Sequence, residues 1–440
     1  MSISNRVWSM MSNVVELAFG VGLMIFVTRG FTVQESGNWF LFIAIFALLS
    51  GLRDALVQSA LVKAVVDEGV GRFGVLKTNL VITMLTEVVL SLGVTLFAFL
   101  SSGSLSSLLI VYPLYALPNA LFRWHVFYLR GNFRIREILL THVINILVVA
   151  AGFVVVLAQG GALRWVPVIL GTGSGVALLY AGRLVPWSRL RAASFSRHAI
   201  ADIWHFGGFG MLREAVSAVS SRISLFYAGS MLNLQATAML GVSQRFAQIA
   251  LLPNNAFQAV MFPTLMKMGQ TGDREGLRQS AEKSLSTLLA LTVPITIVGI
   301  IASPWLLELV SGPAYRSAWG IMSVYVLVAA VITPFGTSFG SLVTALSKPG
   351  IAFRLVLFNS FLNIVAGYLL IHFFGVWGAP LAMLATEVQG LFWVITLSAR
   401  IAGIRYGRVF TGIPQVYSHG WAQVRSRLGK PEKAHTYVKL

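Results

Sequence analysis

The chain has 440 residues, of which 56% are hydrophobic and only 11% are charged, and its formal net charge is +18. Soluble domains carry about 25% charged residues, and a mean hydropathy of +0.78 is more than a larger soluble core would produce. The composition therefore excludes an ordinary soluble protein. The chain has no cysteine, which also excludes disulfides and thiolate metal sites.

Long apolar runs, separated by short polar breaks, predict twelve membrane-spanning helices, because one span needs about 20 mostly apolar residues. With six helices before residue 200 and six after it, we predict an all-α integral membrane protein built from two six-helix bundles, 1–200 and 201–400. A basic cytoplasmic tail, 401–440, follows. The predicted helices, in chain order, are 7–28, 37–62, 78–100, 105–122, 138–158, 165–182, 205–230, 235–262, 284–306, 318–343, 355–374 and 379–399.

The positive charge falls on one side of this topology. If the N-terminus is cytoplasmic, most Lys and Arg residues lie in cytoplasmic segments, including Arg123 and Arg130 between the fourth and fifth predicted helices, while the outer loops hold Arg29, Arg164 and Arg316. This is the positive-inside pattern of membrane proteins. We therefore interpret the charge as a sign of topology and expect no nucleic-acid partner, with both termini in the cytoplasm and membrane lipids around the helices.

The two predicted bundles resemble each other weakly in sequence. Because both begin on the cytoplasmic side, we expect them to be related by a pseudo-two-fold axis along the membrane normal. Internal repeats of this kind are typical of transporters, which bind substrate between the halves. At an offset of 218 residues, Arg130, Arg136 and Asn145 align with Lys348, Arg354 and Asn363.

Motifs for catalysis or cofactor binding are missing from the sequence. The seven histidines are scattered, no Walker lysine motif occurs, and no nucleophile stands beside a base. Gly171 and Gly175 lie inside a predicted span, where small residues four apart favour close helix packing. The sequence therefore predicts neither an enzyme nor a bound cofactor or metal.

Ionisable residues within the predicted spans are the strongest indication of function, since such residues are costly in a membrane and mark a polar pathway. Arg53 lies near mid-membrane. Adjacent residues on a helix point about 100° apart, so we expect Arg53 and Asp54 not to pair with each other and Arg53→Ala to fold normally. The full set is Glu16, Arg53, Asp54, Glu87, Arg213, Glu214, Arg222, Arg245 and Glu387.

Most of these charges fall on the first, second, seventh and eighth predicted helices, alongside polar residues at helical spacing. We predict an arginine-lined, hydrated cavity; the alternative is that the charges form neutral pairs that hold helices together, which we favour for Glu87 and Glu387. Candidate proton or ion carriers are Glu16, Asp54 and Glu214. The candidate substrate-binding residues are Arg53, Arg213, Arg222, Arg245, Gln244, Gln248 and Asn13.

The cations of this predicted cavity are all arginine. The guanidinium group offers a planar set of donors that suits phosphate and loses its hydration more readily than an ammonium group. Neighbouring amide and hydroxyl side chains suit a hydroxyl-rich sugar. The sequence therefore favours an anionic, phosphate-bearing substrate.

Three segments resemble those of the polysaccharide flippases (O-antigen and exopolysaccharide type) of the multidrug/oligosaccharidyl-lipid/polysaccharide exporter superfamily. They are Thr28–Gly37 after the first helix, Pro313–Ala318 in an outer loop, and Asn359–Asn363 with Phe374–Ala382 around the last hairpin. The resemblance covers residues 1–400. It implies two six-helix bundles and a central cationic cavity.

The resemblance also implies a function. We expect undecaprenyl-diphosphate-linked oligosaccharide repeat units to be flipped across the bacterial inner membrane by alternating access, for surface polysaccharide biosynthesis such as that of lipopolysaccharide. Polysaccharide polymerase and chain-length machinery are the partners that it implies. Two alternatives stay open: a cation-coupled multidrug antiporter of the same superfamily, which would need an acidic cavity, and a membrane glycosyltransferase or polymerase, which would need a large outer loop.

Overall fold

The computed structural model describes the backbone of residues 3–66 and 71–428. The regular secondary structure of these residues is entirely helical: short turns and loops connect the helices, and the described residues contain no strand. Side chains are described for the same ranges except at positions 3–7, 9–10, 13, 59, 66, 197–199, 202–210, 212–214, 259 and 419–428.

In the first half of the chain, the described residues form eight α-helices. The two long helices at its start are joined by a break at Phe31 and Thr32, and a short helix, α4, precedes α5. The helices are α1 (Ile3–Gly30), α2 (Val33–Val66), α3 (Arg72–Leu100), α4 (Ser106–Ile110), α5 (Tyr112–Gly131), α6 (Ile135–Ala158), α7 (Trp165–Ala181) and α8 (Trp187–Ala192), with a 3-10 turn at Gly182–Leu184.

In the second half of the chain, the described residues form nine α-helices, and π-helical or 3-10 turns lie between several of them. They are α9 (Arg197–Tyr227), α10 (Leu234–Ala250), α11 (Leu252–Thr271), α12 (Arg274–Ser311), α13 (Trp319–Leu327), α14 (Thr333–Ala345), α15 (Pro349–Phe374), α16 (Gly378–Ala402) and α17 (Tyr406–Leu428). The π-helical turns are Ala228–Leu232 and Val328–Ile332, and the 3-10 turns are Pro313–Ala318 and Gly375–Trp377.

Each of the twelve predicted spans falls on helix, but two predicted boundaries are wrong. The fourth predicted span does not end at residue 122: α5 continues to Gly131, shortly before Phe133, which adopts a left-handed φ of 57°. Arg123 therefore lies inside a helix rather than in a loop. The eighth span is broken before Pro253, whose ring cannot donate a helical hydrogen bond, into α10 and α11.

The surface of the helices shows that lipid is their solvent. By length and apolarity, seven stretches of the described residues qualify as membrane spans, and the stretch Pro349–Ala402 contains both α15 and α16. The outward side chains of α3 are large and apolar: Leu85, Leu92, Leu96 and Phe99 are 61–70% exposed. Large exposed apolar faces of this size mark a membrane-contacting surface, so the protein is a multi-pass membrane protein.

The first compact unit comprises Met1–Arg245, Pro304–Ile321 and Val356–Ala382. Its core packs aromatic side chains of α2 and α5, such as Phe42 and Tyr112, against α6 and α7. The helices approach very closely where glycine replaces a side chain: a Cβ at Gly171 would strike the Leu114 carbonyl of α5. Packing through Gly171 is thus confirmed, whereas a Cβ at Gly175 would meet open space.

The second compact unit comprises Phe246–Ser303, Met322–Leu355 and Met383–Leu440. Its apolar core joins Leu285 and Leu289 of α12 with Phe335 and Phe339 of α14 and with Val409 of α17. Part of the predicted tail is therefore an ordered helix within this unit. The predicted division of the chain at residues 200 and 400 concerns sequence repeats and stays a prediction.

Candidate functional site: a charged network in the first compact unit

A chain of alternating charges links three helices inside the first compact unit. Arg53 of α2 donates from Nε and Nη2 to Asp54 Oδ1, at 3.0 and 2.7 Å, and from Nη1 to Glu87 Oε2 of α3. The side chains of Arg53 and Glu87 are fully shielded from solvent. One guanidinium group thus pairs with two carboxylates within a membrane-spanning bundle, which leaves one negative charge for a second cation.

The prediction that Arg53 and Asp54 cannot pair is therefore wrong. It considered only the direction of the two Cα–Cβ bonds, whereas the long stem of arginine can bend back far enough to present Nε and Nη2 to the neighbouring carboxylate. Since Arg53 has two protein partners, the expectation that Arg53→Ala folds normally also loses its basis. Removing one partner of a buried ion pair leaves the other charge uncompensated.

The network continues to a more accessible arginine. Arg123 of α5 donates from Nε to Asp54 Oδ2 at 2.9 Å, so that each Asp54 oxygen accepts from a different arginine. The exposed fraction of the side chains rises along this chain, from 0% at Arg53 to 13% at Asp54 and 36% at Arg123. Arg123 is thus the guanidinium group of the network that a ligand can reach, and its face lies over the ring of Phe127, 4.8 Å from the centroid.

Uncharged contacts fix the three helices around this network. The Asn79 side chain of α3 donates to the Val57 carbonyl of α2 at 2.9 Å and accepts from Trp124 Nε1 of α5 at 3.1 Å. Because buried amide groups need such partners, Asn79 sets the relative register of α2, α3 and α5. The hydroxyl of Tyr112, at the start of α5, lies 3.5 Å from Glu87 Oε1.

Glu16 lies beside a histidine rather than an arginine. His142 Nε2 of α6 is 3.0 Å from Glu16 Oε1, and the Glu16 side chain is 42% exposed. The positive charges of Arg123 and Arg130 also act on this carboxylate. The contact places an imidazole ring beside Glu16, and the role of Glu16 as a proton or ion carrier stays a prediction.

A second pair of arginines, Arg222 of α9 and Arg245 of α10, interacts electrostatically within the same unit. Arg222 Nη1 donates to Ser221 Oγ at 3.0 Å. The Arg245 guanidinium lies close to α1 at Gly20: a Cβ built on this glycine would be 3.9 Å from Arg245 Nη1. Tyr115, which is half-buried, interacts electrostatically with Arg53 and Arg123 of the charged network and with Arg245 of the second arginine pair.

The other predicted site residues fall into two groups. Gln244 is within the first unit and donates to Ser224 Oγ at 2.9 Å, while Gln248 is an exposed residue of α10 in the second unit. The backbone positions of Asn13, Arg213 and Glu214 are helical, but their side chains lie outside the described residues. Their predicted roles therefore stay predictions.

Sequence reasoning placed Arg123 in a loop and did not consider His142. Glu87 was set apart from the predicted arginine group, but the role favoured for it, a neutral pair that holds helices together, is confirmed by its ion pair with Arg53. A signal for this pair did exist, because an isolated carboxylate in an apolar helix needs a cationic partner. Arg123 would have been found if the fourth predicted helix had been continued through the aromatic segment up to Asn132.

The described residues contain no cluster of three or more histidine and carboxylate side chains that could hold a metal ion. In the charged network, the carboxylates of Asp54 and Glu87 are paired with the guanidinium groups of Arg53 and Arg123. Glu387 of α16 is a different case: its carboxylate makes no hydrogen bond or ion pair with any described residue, although it lies within an apolar helix.

Two solved structures have the same fold as this chain. The lipid II flippase MurJ in an inward closed conformation superposes with a TM-score of 0.76 and 15% identity, covering 98% of this chain and 94% of its own. A multidrug resistance MATE family transporter of the MOP superfamily, in an inward-facing conformation, superposes with a TM-score of 0.67 and 15% identity, covering 90% of this chain and 98% of its own. The predicted fold class, about twelve helices in two six-helix bundles, is confirmed.

Comparisons of sequence point to the same group of proteins. A relative from Haloferax volcanii, the "Probable low-salt glycan biosynthesis flippase Agl15", is 21% identical over 372 residues, covering 83% of this chain and 77% of its own. The family model described as "Polysaccharide biosynthesis protein" matches residues 26–320. The predicted resemblance is confirmed, and the chain belongs to this polysaccharide biosynthesis protein family.

Proposed function

We propose that this protein flips undecaprenyl-diphosphate-linked oligosaccharide repeat units from the cytoplasmic to the outer leaflet of the bacterial inner membrane. Its family, its fold and a relative named as a probable glycan flippase support this proposal. Movement would follow alternating access, as in other transporters built from two helical repeats. The flipped units would then reach a polysaccharide polymerase and chain-length machinery.

The observation that carries the proposal is the accessible end of the charged network. Arg123 presents a partly exposed guanidinium group, whose Nε is bound to Asp54 and whose other nitrogens are oriented by that bond. Such a planar set of donors binds a phosphate oxygen pair in a bidentate manner. We assign Arg123 as the primary ligand of the diphosphate group.

Arg53 then acts mainly by positioning. It holds Asp54 through two nitrogens and is itself held by Glu87, so the oxygen that faces Arg123 has one orientation. A diphosphate that binds Arg123 competes with Asp54 for the same cation. Substrate binding would thus weaken a contact between α2 and α5, which offers a physical means for the ligand to favour a different helix arrangement.

Arg222 and Arg245 extend the cationic region. Two like charges that interact in a membrane protein repel each other, and this repulsion falls when an anion lies between them. We propose that they receive the second phosphate or stabilise the head group during its passage. Glu16, beside His142, is the proposed proton carrier, whereas both oxygens of Asp54 are already bound to arginines.

The pairing of charges disfavours the antiporter alternative. A cationic drug would need a carboxylate available for it, yet in the described network Asp54 and Glu87 are each bound to arginine. An oligosaccharide-linked diphosphate instead matches the accessible arginines. The short connections between the helices equally disfavour a polymerase or glycosyltransferase with a large outer domain.

Deletion and complementation in the native host would test this function. Without the protein, we expect lipid-linked repeat units to accumulate while surface polysaccharide is lost. Wild-type protein should restore the polysaccharide and Arg123→Ala should not. The control Thr264→Val, at an exposed residue of α11 whose hydroxyl bonds its own helix backbone, should restore it. Normal surface polysaccharide in the deletion strain would overturn the proposal, and loss of repeat-unit synthesis would point to an enzyme instead.

A further inference from the structure

A row of uncharged polar side chains joins α11 and α14 within the second compact unit. Thr337 Oγ donates to Asn254 Oδ1 at 3.0 Å, Gln258 Nε2 donates to Thr337 Oγ at 3.4 Å, and Ser341 Oγ donates to Gln258 Oε1 at 2.9 Å. We call Asn254, Gln258, Thr337 and Ser341 the polar ladder. Its members recur at spacings of four residues on each helix, so they lie on one face of each.

The innermost group of the polar ladder has unused hydrogen-bonding capacity. Asn254 is 1% exposed, and its Nδ2 donates to no residue in the described part of the chain. An amide nitrogen carries two N–H donors, and buried donors of this kind are nearly always satisfied in native proteins. Gln258 Nε2 has a second N–H beyond its bond to Thr337. The polar ladder therefore presents donors that its own members do not use.

The other members of the polar ladder lie next to an open stretch of α14. Gln258, Thr337 and Ser341 are each partly exposed. A Cβ placed on Gly336 or Gly340, the neighbours of Thr337 and Ser341 on α14, would meet no atom within 4 Å. The side of α14 next to the polar ladder is thus open and lacks side chains that would exclude a bulky group.

The chemistry of the polar ladder differs from that of the charged network. Amide and hydroxyl groups, with no net charge, give donors and acceptors in alternation along two helices. Vicinal hydroxyl groups of a sugar ring have the same alternation, since each can donate and accept. A diphosphate, by contrast, needs cations or several aligned N–H donors.

We propose that the polar ladder binds the sugar part of the transported lipid, with the partly exposed Gln258 donating to a sugar hydroxyl oxygen. This inference rests on the proposed function and names the neutral groups that recognise the glycan. The same contacts would merely join two helices if no sugar bound there, because polar side chains also stabilise helix pairs in membranes.

Binding measurements on the purified full-length protein in detergent can separate these two roles. The probes are farnesyl diphosphate and farnesyl-diphosphate-linked N-acetylglucosamine, and the variants are Gln258→Met, Ser341→Ala and Arg123→Ala. Thr264→Val is the matched control, because Thr264 is an exposed residue of the same helix whose hydroxyl bonds only its own backbone. Thermal melting of each variant reports its fold independently of binding.

We expect the wild-type protein to bind the glycosylated probe more tightly than farnesyl diphosphate. Gln258→Met should weaken binding of the glycosylated probe by about tenfold, the loss expected for one to two hydrogen bonds, and should leave farnesyl diphosphate binding unchanged. Ser341→Ala, a smaller change that retains the helix pair, should give an intermediate loss. Arg123→Ala should weaken both probes, and Thr264→Val neither.

Two results would overturn the inference. If Gln258→Met and Ser341→Ala keep the wild-type preference for the glycosylated probe, the polar ladder only joins helices. If the wild-type protein binds both probes equally, the site does not recognise sugar, although the proposed diphosphate function stands. Binding of neither probe by a folded wild-type protein would remove the proposed function itself, and this inference with it.

Discussion

Arg53 and Glu87 form an ion pair in which both side chains are fully shielded from solvent, and they come from different helices, α2 and α3. Such a pair costs desolvation of two charges, and its net contribution to stability can be small. Removal of one partner alone is a different matter, since an uncompensated charge then stays within the membrane bundle. The charges of Arg53 and Glu87 therefore stay compensated only while α2 and α3 remain packed against each other.

We predict that Arg53→Ala is destabilised by about 3–5 kcal/mol, the loss typical of breaking a buried ion pair. Both Glu87 and Asp54 lose a cation in this variant. The double variant Arg53→Met with Glu87→Gln should recover much of the loss, because Arg123 still neutralises Asp54. Membrane abundance and the melting temperature in detergent measure the effect. An Arg53→Ala protein as stable as the wild type would show that the pair is not structural.

The charged network also shows how far sequence alone could reach. Apolar runs specify the helices, because a span must be long and apolar to cross the membrane, and all twelve were found. The partners of Arg53 were not found, since they depend on which faces of α2, α3 and α5 meet. Hydropathy contains no such information. Asn79, which fixes those faces through Val57 and Trp124, has no distinguishing pattern in the sequence.

Helix boundaries near charged residues were the second weakness of the sequence prediction. Arg123 appeared to end the fourth predicted span because arginine is costly in lipid, yet in the structure its charge is met by Asp54. A tertiary partner thus permits a residue that hydropathy alone would exclude. The polar ladder escaped notice for the opposite reason: Asn254 and Thr337 are uncharged and stand in segments of mixed composition.

The proton-carrier role of Glu16 gives a further prediction. Glu16→Gln keeps the size of the side chain but cannot release a proton, so transport driven by an imposed pH gradient should fall to the rate seen without a gradient. Stability should change little, because the Glu16 side chain is partly exposed and the amide of glutamine can keep a polar contact with His142. Transport assays in vesicles with and without the gradient measure this. Equal stimulation of the variant and the wild type by the gradient would exclude Glu16 as the carrier.

Helix α17 should be essential for the second compact unit. Its Gly412 faces Ser286 of α12 so closely that a Cβ would lie 2.7 Å from Ser286 Oγ, and Ser286 Oγ donates to the Val409 carbonyl at 2.8 Å. We predict that Gly412→Leu separates α17 from α12 and lowers the melting temperature. Ser286→Ala, the milder change, should cost only about 1 kcal/mol for one hydrogen bond.

Limited proteolysis gives the readout for this helix, since a detached α17 should be cleaved faster than the wild-type helix. Gly407→Ala is a suitable control, because a Cβ at Gly407 would meet open space. If Gly412→Leu is cleaved and melts like the wild type, then α17 does not depend on its contact with α12.

The predicted topology can be tested directly because the chain has no cysteine. Gln159 follows α6 and Thr271 ends α11, and both are exposed. We expect a membrane-impermeant maleimide to label Gln159→Cys in spheroplasts, and Thr271→Cys only after the membrane is opened. Labelling of Thr271→Cys in intact spheroplasts would contradict the cytoplasmic placement of the α11–α12 connection and hence of the termini.

The most direct test of the central claim is a flipping assay in vesicles that contain only the purified protein and a fluorescent undecaprenyl-diphosphate oligosaccharide. An impermeant quencher, added outside, measures the fraction of lipid that changes leaflet. We predict that wild-type protein and Thr264→Val flip the lipid, that Arg123→Ala folds but flips it at least tenfold more slowly, and that Arg123→Lys is intermediate because an ammonium group lacks the bidentate geometry. Wild-type vesicles that flip no more than protein-free vesicles, or an Arg123→Ala protein that flips at the wild-type rate, would contradict the account.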